Sequence, residues 1–242
     1  MSSMFTGNTG PSGPVRDDAG VAKYRHEAIA VVLRVQLGES LQVLAYRRAR
    51  SPFEGMWALP SGPVEVDESL DESVLRHLVA KVGVDAVAHQ EQLQTRSAPG
   101  RDPFDRTIAT AYLGLLPWDS DPAIPGHAAW VPVDELPEFA FDHADVVRVA
   151  VERLRAKLSY TNIGFALAPK QFTISQLCDA YCQALGYHVA ATNLQRIFQR
   201  RGQLVATGER APSGSEGGRP AQLFRFADRS LTVTDPFATF KP

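Results

Sequence analysis

A chain of 242 residues, 44% of them apolar, is long enough for one large core or two ordinary ones, and no apolar run approaches the length that spans a bilayer. The formal charge of −2 is a small difference between unlike parts: residues 1–155 carry 15 Lys and Arg against 22 Asp and Glu, whereas residues 156–242 carry 10 against 5. That asymmetry argues against a uniformly acidic or basic protein and suggests a polyanion-binding module joined to a second unit.

In chain order, Met1 to Gly20 is rich in Gly, Ser, Thr and Pro and lacks the apolar stretch of a secretory signal, so residues 1–22 are expected to form a disordered tail. Ala28–Arg34 is a nearly continuous apolar run and reads as a buried strand; Gly38-Glu39 marks a turn and Leu41–Tyr46 its partner strand. Arg47, Arg48 and Arg50 follow, close to Phe53. Ser69 with Glu72 forms a capping-box signature, Leu70, Val74, Leu78 and Val82 make one apolar stripe, and Gly83 is a C-terminal stop, which predicts a helix. Arg106–Leu116 and Ala129–Pro132 read as further strands, and Asp142–Leu158 has helical periodicity. Residues 23–158 are therefore expected to form a mixed sheet with helices on both faces, an α/β/α sandwich within an overall α+β chain.

After Ser159 the pattern changes to short helices. Thr173 with Gln176, and Thr192 with Gln195, are capping-box signatures for two of them, and Gly186 ends the first. Leu204–Thr207 and Gln222–Phe226 read as strands joined by a segment rich in Gly, Ser and Pro. Helix, helix and hairpin is the order of a winged helix-turn-helix, expected over residues 159–242. In the second helix Leu194, Ile197 and Phe198 face inward, leaving Asn193, Arg196, Gln199 and Arg200 outside. Asn and Gln match adenine and Arg matches guanine in a major groove, so this face is the candidate for base contacts. Arg201, on its flank, is assigned to phosphate, and Arg219 on the wing to a minor groove or a phosphate. Thr173 and Gln176 sit at a helix N-terminus, where backbone N–H groups also meet phosphate. Cys178 and Cys182 lie four apart in the first helix, and no histidine pairs with them at a ligand spacing; buried thiols of a cytoplasmic protein are expected, not a zinc site.

Residues 62–84 resemble a Nudix box, G-x5-E-x7-R-E-U-x-E-E-x-G-U, where U is a bulky aliphatic residue. Gly62, Glu68, Arg76, Leu78, Gly83 and Val84 fall at the required spacing, and Phe53–Gly62 is similar to the strand and turn that lead into the box. The three glutamates that follow the arginine are absent: His77, Ala80 and Lys81 take their places. Those positions share one helix face, which in a working enzyme of the family carries the carboxylates that hold Mg²⁺ against a diphosphate. Ala80 offers no ligand, Lys81 brings a positive charge, and an imidazole is a poor partner for so hard an ion. The expectation is a domain without a metal site and without hydrolase activity.

A degenerate Nudix domain followed by a winged helix, with Tyr160-Thr161, Phe172-Thr173 and the wing Gly218-Arg-Pro-Ala-Gln222, is similar to the Nudix-related transcriptional regulators of NAD metabolism. The resemblance implies a homodimeric cytoplasmic repressor of NAD biosynthesis and salvage genes. It would bind a palindromic double-stranded operator and respond to ADP-ribose or a related NAD-derived nucleotide, with no cofactor and no membrane partner. On this basis Arg47, Arg48, Arg50, Lys81 and Arg106 are candidates to face ligand phosphates, and Phe53 or Trp57 to stack on a base; Trp57 fits a core position as well. DNA contacts fall to Thr173, Gln176, Thr192, Asn193, Arg196, Gln199, Arg200, Arg201 and Arg219. The competing readings are an active hydrolase of ADP-ribose or a related dinucleotide with an accessory winged helix, opposed by positions 77, 80 and 81, and a sensor whose winged helix binds protein.

Overall fold

A computed structural model describes residues 16–103, 105–211 and 220–235. Its centre is a seven-stranded mixed sheet. Strand β1 (Arg25–Gln36) contributes a fully buried run from Ala28 to Leu33, and β2 (Ser40–Arg47) is buried from Leu41 to Tyr46. Strands β3 (Trp57–Ala58) and β4 (Ser61–Pro63) are short; helix α1 (Leu70–Val82) follows, then β5 (His89–Arg96), β6 (Thr107–Leu115) and β7 (Ala128–Pro132). Strand β1 runs parallel to β6 along most of its length. On its other side it changes partner midway: Glu27–Ile29 pair with β4, whereas Leu33–Gln36 pair with β2. Strand β2 takes β7 and β3 instead.

Two apolar layers cover the sheet. On one face α1 packs Val74, Leu78 and Val82 against Ala28, Ala30 and Val32 of β1 and Leu44 and Tyr46 of β2. Both ends of α1 form as its sequence predicts: Ser69 and Glu72 make the reciprocal capping box, and Gly83 ends the helix in the left-handed region at φ 71°. On the other face lies α2 (His143–Tyr160), which buries Val146, Val147, Ala150, Val151, Leu154 and Leu158. The same cluster continues without a break into Phe165 and Phe172 and on into the C-terminal elements.

Those elements are α3 (Ile174–Leu185), α4 (Ala191–Arg200), and the antiparallel hairpin of β8 (Leu204–Arg210) and β9 (Gln222–Phe226). Their core is aromatic. Phe172 contacts Trp118 and Phe226, and Phe198 contacts both Phe226 and Tyr181, with ring centroids 5.3–6.0 Å apart. Trp118 belongs to the sheet region, so this chain of rings crosses from one half of the protein to the other. The backbone crosses as well, because Gly38 in the β1–β2 turn donates to the Asp179 carboxylate of α3 at 2.6 Å.

Strand β5 is not evident in the sequence, since only Leu93 of its eight residues is buried. Side chains hold this edge strand to α2. Glu91 accepts from His89 and Lys157, at 2.9 and 2.7 Å, with Arg153 at 3.4 Å. Burial tends to raise the Glu91 pKa, but those hydrogen bonds and charges outweigh it and hold the carboxyl at about 2. With a folded value below the ordinary 4.5, the stabilisation is fully present above about pH 4.5 and is lost as pH falls through about 2. We predict that Glu91→Gln destabilises the fold by about 1–3 kcal/mol near neutral pH. The deficit relative to wild type should shrink on acidification, as read by thermal melts across pH.

Candidate functional site

The partner exchange of β1 opens the sheet on the side where α1 ends. A cavity of about 750 Å³ lies there, with Arg25 and Glu27 of β1, Tyr46 and Arg47 of β2, Ser61, Gly62 and Pro63 of β4, and Lys81 of α1 in its walls. Arg48, Arg50, Asp102, Asp105, His127 and Phe141 complete the rim. The lining carries five cationic side chains against three carboxylates. Arg25 is paired with Glu27 at 3.0 Å, whereas among the described residues no carboxylate lies in ion-pair range of Arg47, Arg48, Arg50 or Lys81. The guanidinium of Arg47 lies over Trp57 at 4.2 Å from the ring centroid, and that of Arg48 over Phe141 at 4.8 Å. Aromatic faces thus hold these cations without neutralising them.

Phe141 at the rim and Phe53 behind it have left-handed backbones, at φ 55° and 62°. Their rings meet edge to face at 4.9 Å. Such conformations cost bulky residues on the order of 1–3 kcal/mol each and cluster where a site over-determines them. Phe141 leads directly into α2. Next to it, the Asp142 carboxylate does not cap the helix but accepts from Arg96 at 2.8 Å and from Arg101 at 2.9 Å. Arg101 is almost fully buried and also lies 3.9 Å from Glu27 on the cavity wall. His143, the first residue of α2, accepts the Leu59 N–H on Nδ1; burial pulls its pKa down to about 3, so it stays neutral.

The box is built for support. Glu68 accepts from Arg76 at 2.8 and 2.5 Å and from the Glu65 N–H at 2.8 Å, and Arg76 also donates to the Pro63 carbonyl. Hydrogen bonding to Arg76, outweighing a desolvation effect, holds the Glu68 carboxyl at about 2. His77 is buried and donates from Nε2 to the Pro63 carbonyl at 3.0 Å, its ring against Gly62. Ala80 is exposed. Glu72 is committed to the helix cap, and no group of three or more His, Cys, Asp or Glu among the described residues is placed to hold a metal. These donors do not fit the magnesium site that a Nudix fold implies.

Of the ligand candidates, Arg47, Arg48, Arg50 and Lys81 are brought together in the cavity walls. Phe53 stands just behind Phe141. Trp57 is half-buried under Arg47 and packs on the main core, as its core reading has it. Arg106 does not line the cavity; its guanidinium sits over Tyr24, 5.2 Å from the centroid. Sequence reasoning missed Arg25, Glu27, Tyr46 and Phe141. No local signal marks them, because the parting of strands that exposes them is a matter of tertiary register.

In the C-terminal half, Thr173 caps α3 and is half-buried, with Gln176 as its box partner. Asn193, Arg196, Gln199 and Arg200 are exposed on α4, where Arg196 donates to Asn193 at 2.8 Å. Two expectations need correction. Thr192 is not a cap: Ala190 holds that position and α4 starts at Ala191 without a side-chain cap. The entry to the helix is anchored one residue earlier by the thiols, with Cys178 donating to the Val189 carbonyl and the Val189 N–H reaching Cys182 Sγ. Arg201 is not a free phosphate contact, since it donates to the Ser159 carbonyl and to Asp235 at 3.0 and 2.6 Å and ties down the chain after β9. Arg219 lies outside the described residues.

Comparison with known proteins resolves what this combination is. Residues 24–150 match the NUDIX domain, and residues 164–226 match the NrtR DNA-binding winged helix domain. The chain belongs to the NrtR family. Over 194 residues it is 31% identical to the ADPR responsive transcriptional repressor NtrR of Acinetobacter baylyi, covering 77% of this chain and 76% of that protein. Over 130 residues it is 29% identical to an ADP-ribose pyrophosphatase of Methanocaldococcus jannaschii, covering 52% of this chain and 73% of the other. The crystal structure of Shewanella oneidensis NrtR complexed with a 27mer DNA superposes with a TM-score of 0.71 at 28% identity, covering 83% of this chain and 92% of that one. A MutT/nudix family protein from Enterococcus faecalis shares the fold, with a TM-score of 0.70 at 23% identity over 87% of this chain and 90% of its own. The expected architecture, a Nudix domain with a mixed sheet followed by a winged helix, is thus that of NrtR proteins.

Gly62 allows the close approach of this NrtR chain's β4 to its box helix, because a Cβ there would fall 2.3 Å from the His77 ring. We predict that Gly62→Ala destabilises the protein by about 1–3 kcal/mol in denaturant titration. With His77→Ala in the same chain, the combined loss should be smaller than the sum of the two single losses; strict additivity would show that ring and glycine do not share the space.

Proposed function

We propose that this protein is an ADP-ribose-responsive transcriptional repressor. In this reading its Nudix domain senses the nucleotide without hydrolysing it, and its winged helix binds an operator. The observation that carries it is the pairing, in one continuous core, of a cation-lined nucleotide-sized cavity with an exposed Asn193/Arg196/Gln199/Arg200 helix face. The A. baylyi relative, named as an ADPR responsive repressor, and the DNA complex of the S. oneidensis protein support the same assignment. In keeping with the resemblance to regulators of NAD metabolism, the reading takes NAD biosynthesis and salvage genes as the targets and release of DNA as the expected response to the effector. Two copies related by a two-fold axis would present two α4 helices to a palindrome. No helix among the described residues is long and apolar enough to cross a membrane.

Loss of hydrolysis follows from the donor chemistry of the box. Metal-assisted attack on a diphosphate needs hard oxygen ligands, and positions 77, 80 and 81 offer an imidazole already bonded to Pro63, a methyl group and an ammonium. Arg196 and Gln199 then serve base contacts, while Thr173 and Gln176 bring the α3 N-terminus to phosphate.

Gel shifts with genomic fragments upstream of NAD biosynthesis genes should show binding that weakens steeply with salt and is reversed by ADP-ribose. Arg196→Ala should weaken specific binding by about 1–3 kcal/mol while leaving non-specific binding nearly unchanged. Salt-insensitive binding, or an Arg196→Ala chain that discriminates as well as wild type, would remove the base-reading role. In a separate assay, prolonged incubation of excess protein with ADP-ribose and Mg²⁺ should yield no AMP; turnover would revive the hydrolase reading.

A further inference from the structure

We propose that the Lys81 ammonium fills the electrostatic role that a Nudix box ordinarily gives to a divalent cation, so that the cavity takes a diphosphate-bearing nucleotide without any metal. The inference rests on the effector reading above and adds to it how the diphosphate is held. In a metal-dependent Nudix site the protein wall is acidic and the cation supplies the positive charge that meets the phosphates. Here the polarity is inverted. The cavity lining carries Arg25, Arg47, Arg48, Arg50 and Lys81 against Glu27, Asp102 and Asp105, a formal surplus of two positive charges among its Lys, Arg, Asp and Glu side chains. A bridging diphosphate carries about two negative charges at neutral pH, so the surplus matches it; adding Mg²⁺ would only overcharge the site.

Lys81 is the cation placed on the box helix itself. It is half-buried in the last turn of α1, with its Nζ 5.6 Å from the centroid of Tyr46, whose ring forms the adjacent wall. His127 donates to the Lys81 carbonyl at 3.0 Å, which fixes the backbone from which the side chain projects. No carboxylate among the described residues lies in ion-pair range of the ammonium, so none of them neutralises its charge. Arg47 and Arg48, which also line the cavity, are held on Trp57 and Phe141. A diphosphate in this cavity would accept charge-assisted hydrogen bonds from the lysine and the arginines together. The remaining box acid, Glu68, is occupied by Arg76 and does not compete.

Isothermal titration calorimetry with ADP-ribose tests this on the full chain, in excess EDTA and in millimolar Mg²⁺. Wild type should bind equally well in the two buffers. In EDTA, Lys81→Ala should bind about tenfold or more weakly, the loss of one charge-assisted contact, and Lys81→Arg should stay within about threefold of wild type. Rescue by arginine separates the charge from a role in folding, and thermal melts of both variants check the helix. Wild-type affinity that collapses in EDTA, or a folded Lys81→Ala chain that binds as wild type, overturns the lysine's role while leaving the effector reading intact. No binding of ADP-ribose by wild type in either buffer overturns the effector reading, and the lysine's role falls with it.

Discussion

The partner exchange of β1 is the constraint on which the rest depends. One strand cannot pair with both β2 and β4 over the same residues, so Glu27–Ile29 go to β4 and Leu33–Gln36 to β2. The cavity lies where the end of β2 and strand β4 part, with Tyr46, Arg47 and Ser61–Pro63 in its walls. The same divergence carries β4 toward α1, close enough that a glycine is needed at 62 and that Pro63 presents its carbonyl to both Arg76 and His77. The box frame of Gly62, Glu68 and Arg76 therefore serves the geometry of the opening, whether or not a metal is ever bound beside it.

That separation of frame from chemistry explains how the motif decays. Glu68 and Arg76 neutralise one another at short range and pin the loop to the helix, and replacing either would leave a charge without its partner. Ala80 and Lys81 carry no such load, and His77 supports the frame only through its bond to the Pro63 carbonyl. A buried imidazole, a methyl group and an ammonium are all compatible with the helix, and the cavity lining carries more cationic than acidic side chains.

Much of this was legible in the chain because local signals and tertiary demands agree. The Ser69/Glu72 and Thr173/Gln176 boxes, the Gly83 and Gly186 stops, and the buried run of β1 each form where their side-chain chemistry puts them. Failures occur where tertiary partners decide. Strand β5 is a polar edge whose hold on the protein runs through Glu91, which has no periodic signature. Thr192 and Gln195 have the spacing of a cap, but the Val189 backbone is seized by two thiols from α3 and sets the helix start before Thr192 is reached. Arg201 looks like part of a basic cluster, and only the return of the chain past β9 reveals Asp235 as its partner. The cavity was half legible: the Arg47–Arg50 cluster and Lys81 stand out, whereas Phe141 and the buried Arg101 come from distant segments that only folding brings near.

Helix α2 has a consequence for anyone who would re-engineer such a regulator. Its 18 residues make a rod of about 27 Å. The rod begins beside Phe141 on the cavity rim, and near its far end Arg155 donates to the Ala184 carbonyl of α3 and the Tyr160 carbonyl receives the N–H groups of Thr234 and Asp235. Sensor and reader are thus not beads on a flexible string; they share one foundation beam. A chimaera that grafts a foreign reading head after residue 160 would cut through that beam's bearing surfaces. Modular exchange between members of this family has to take the long helix along with the head it carries.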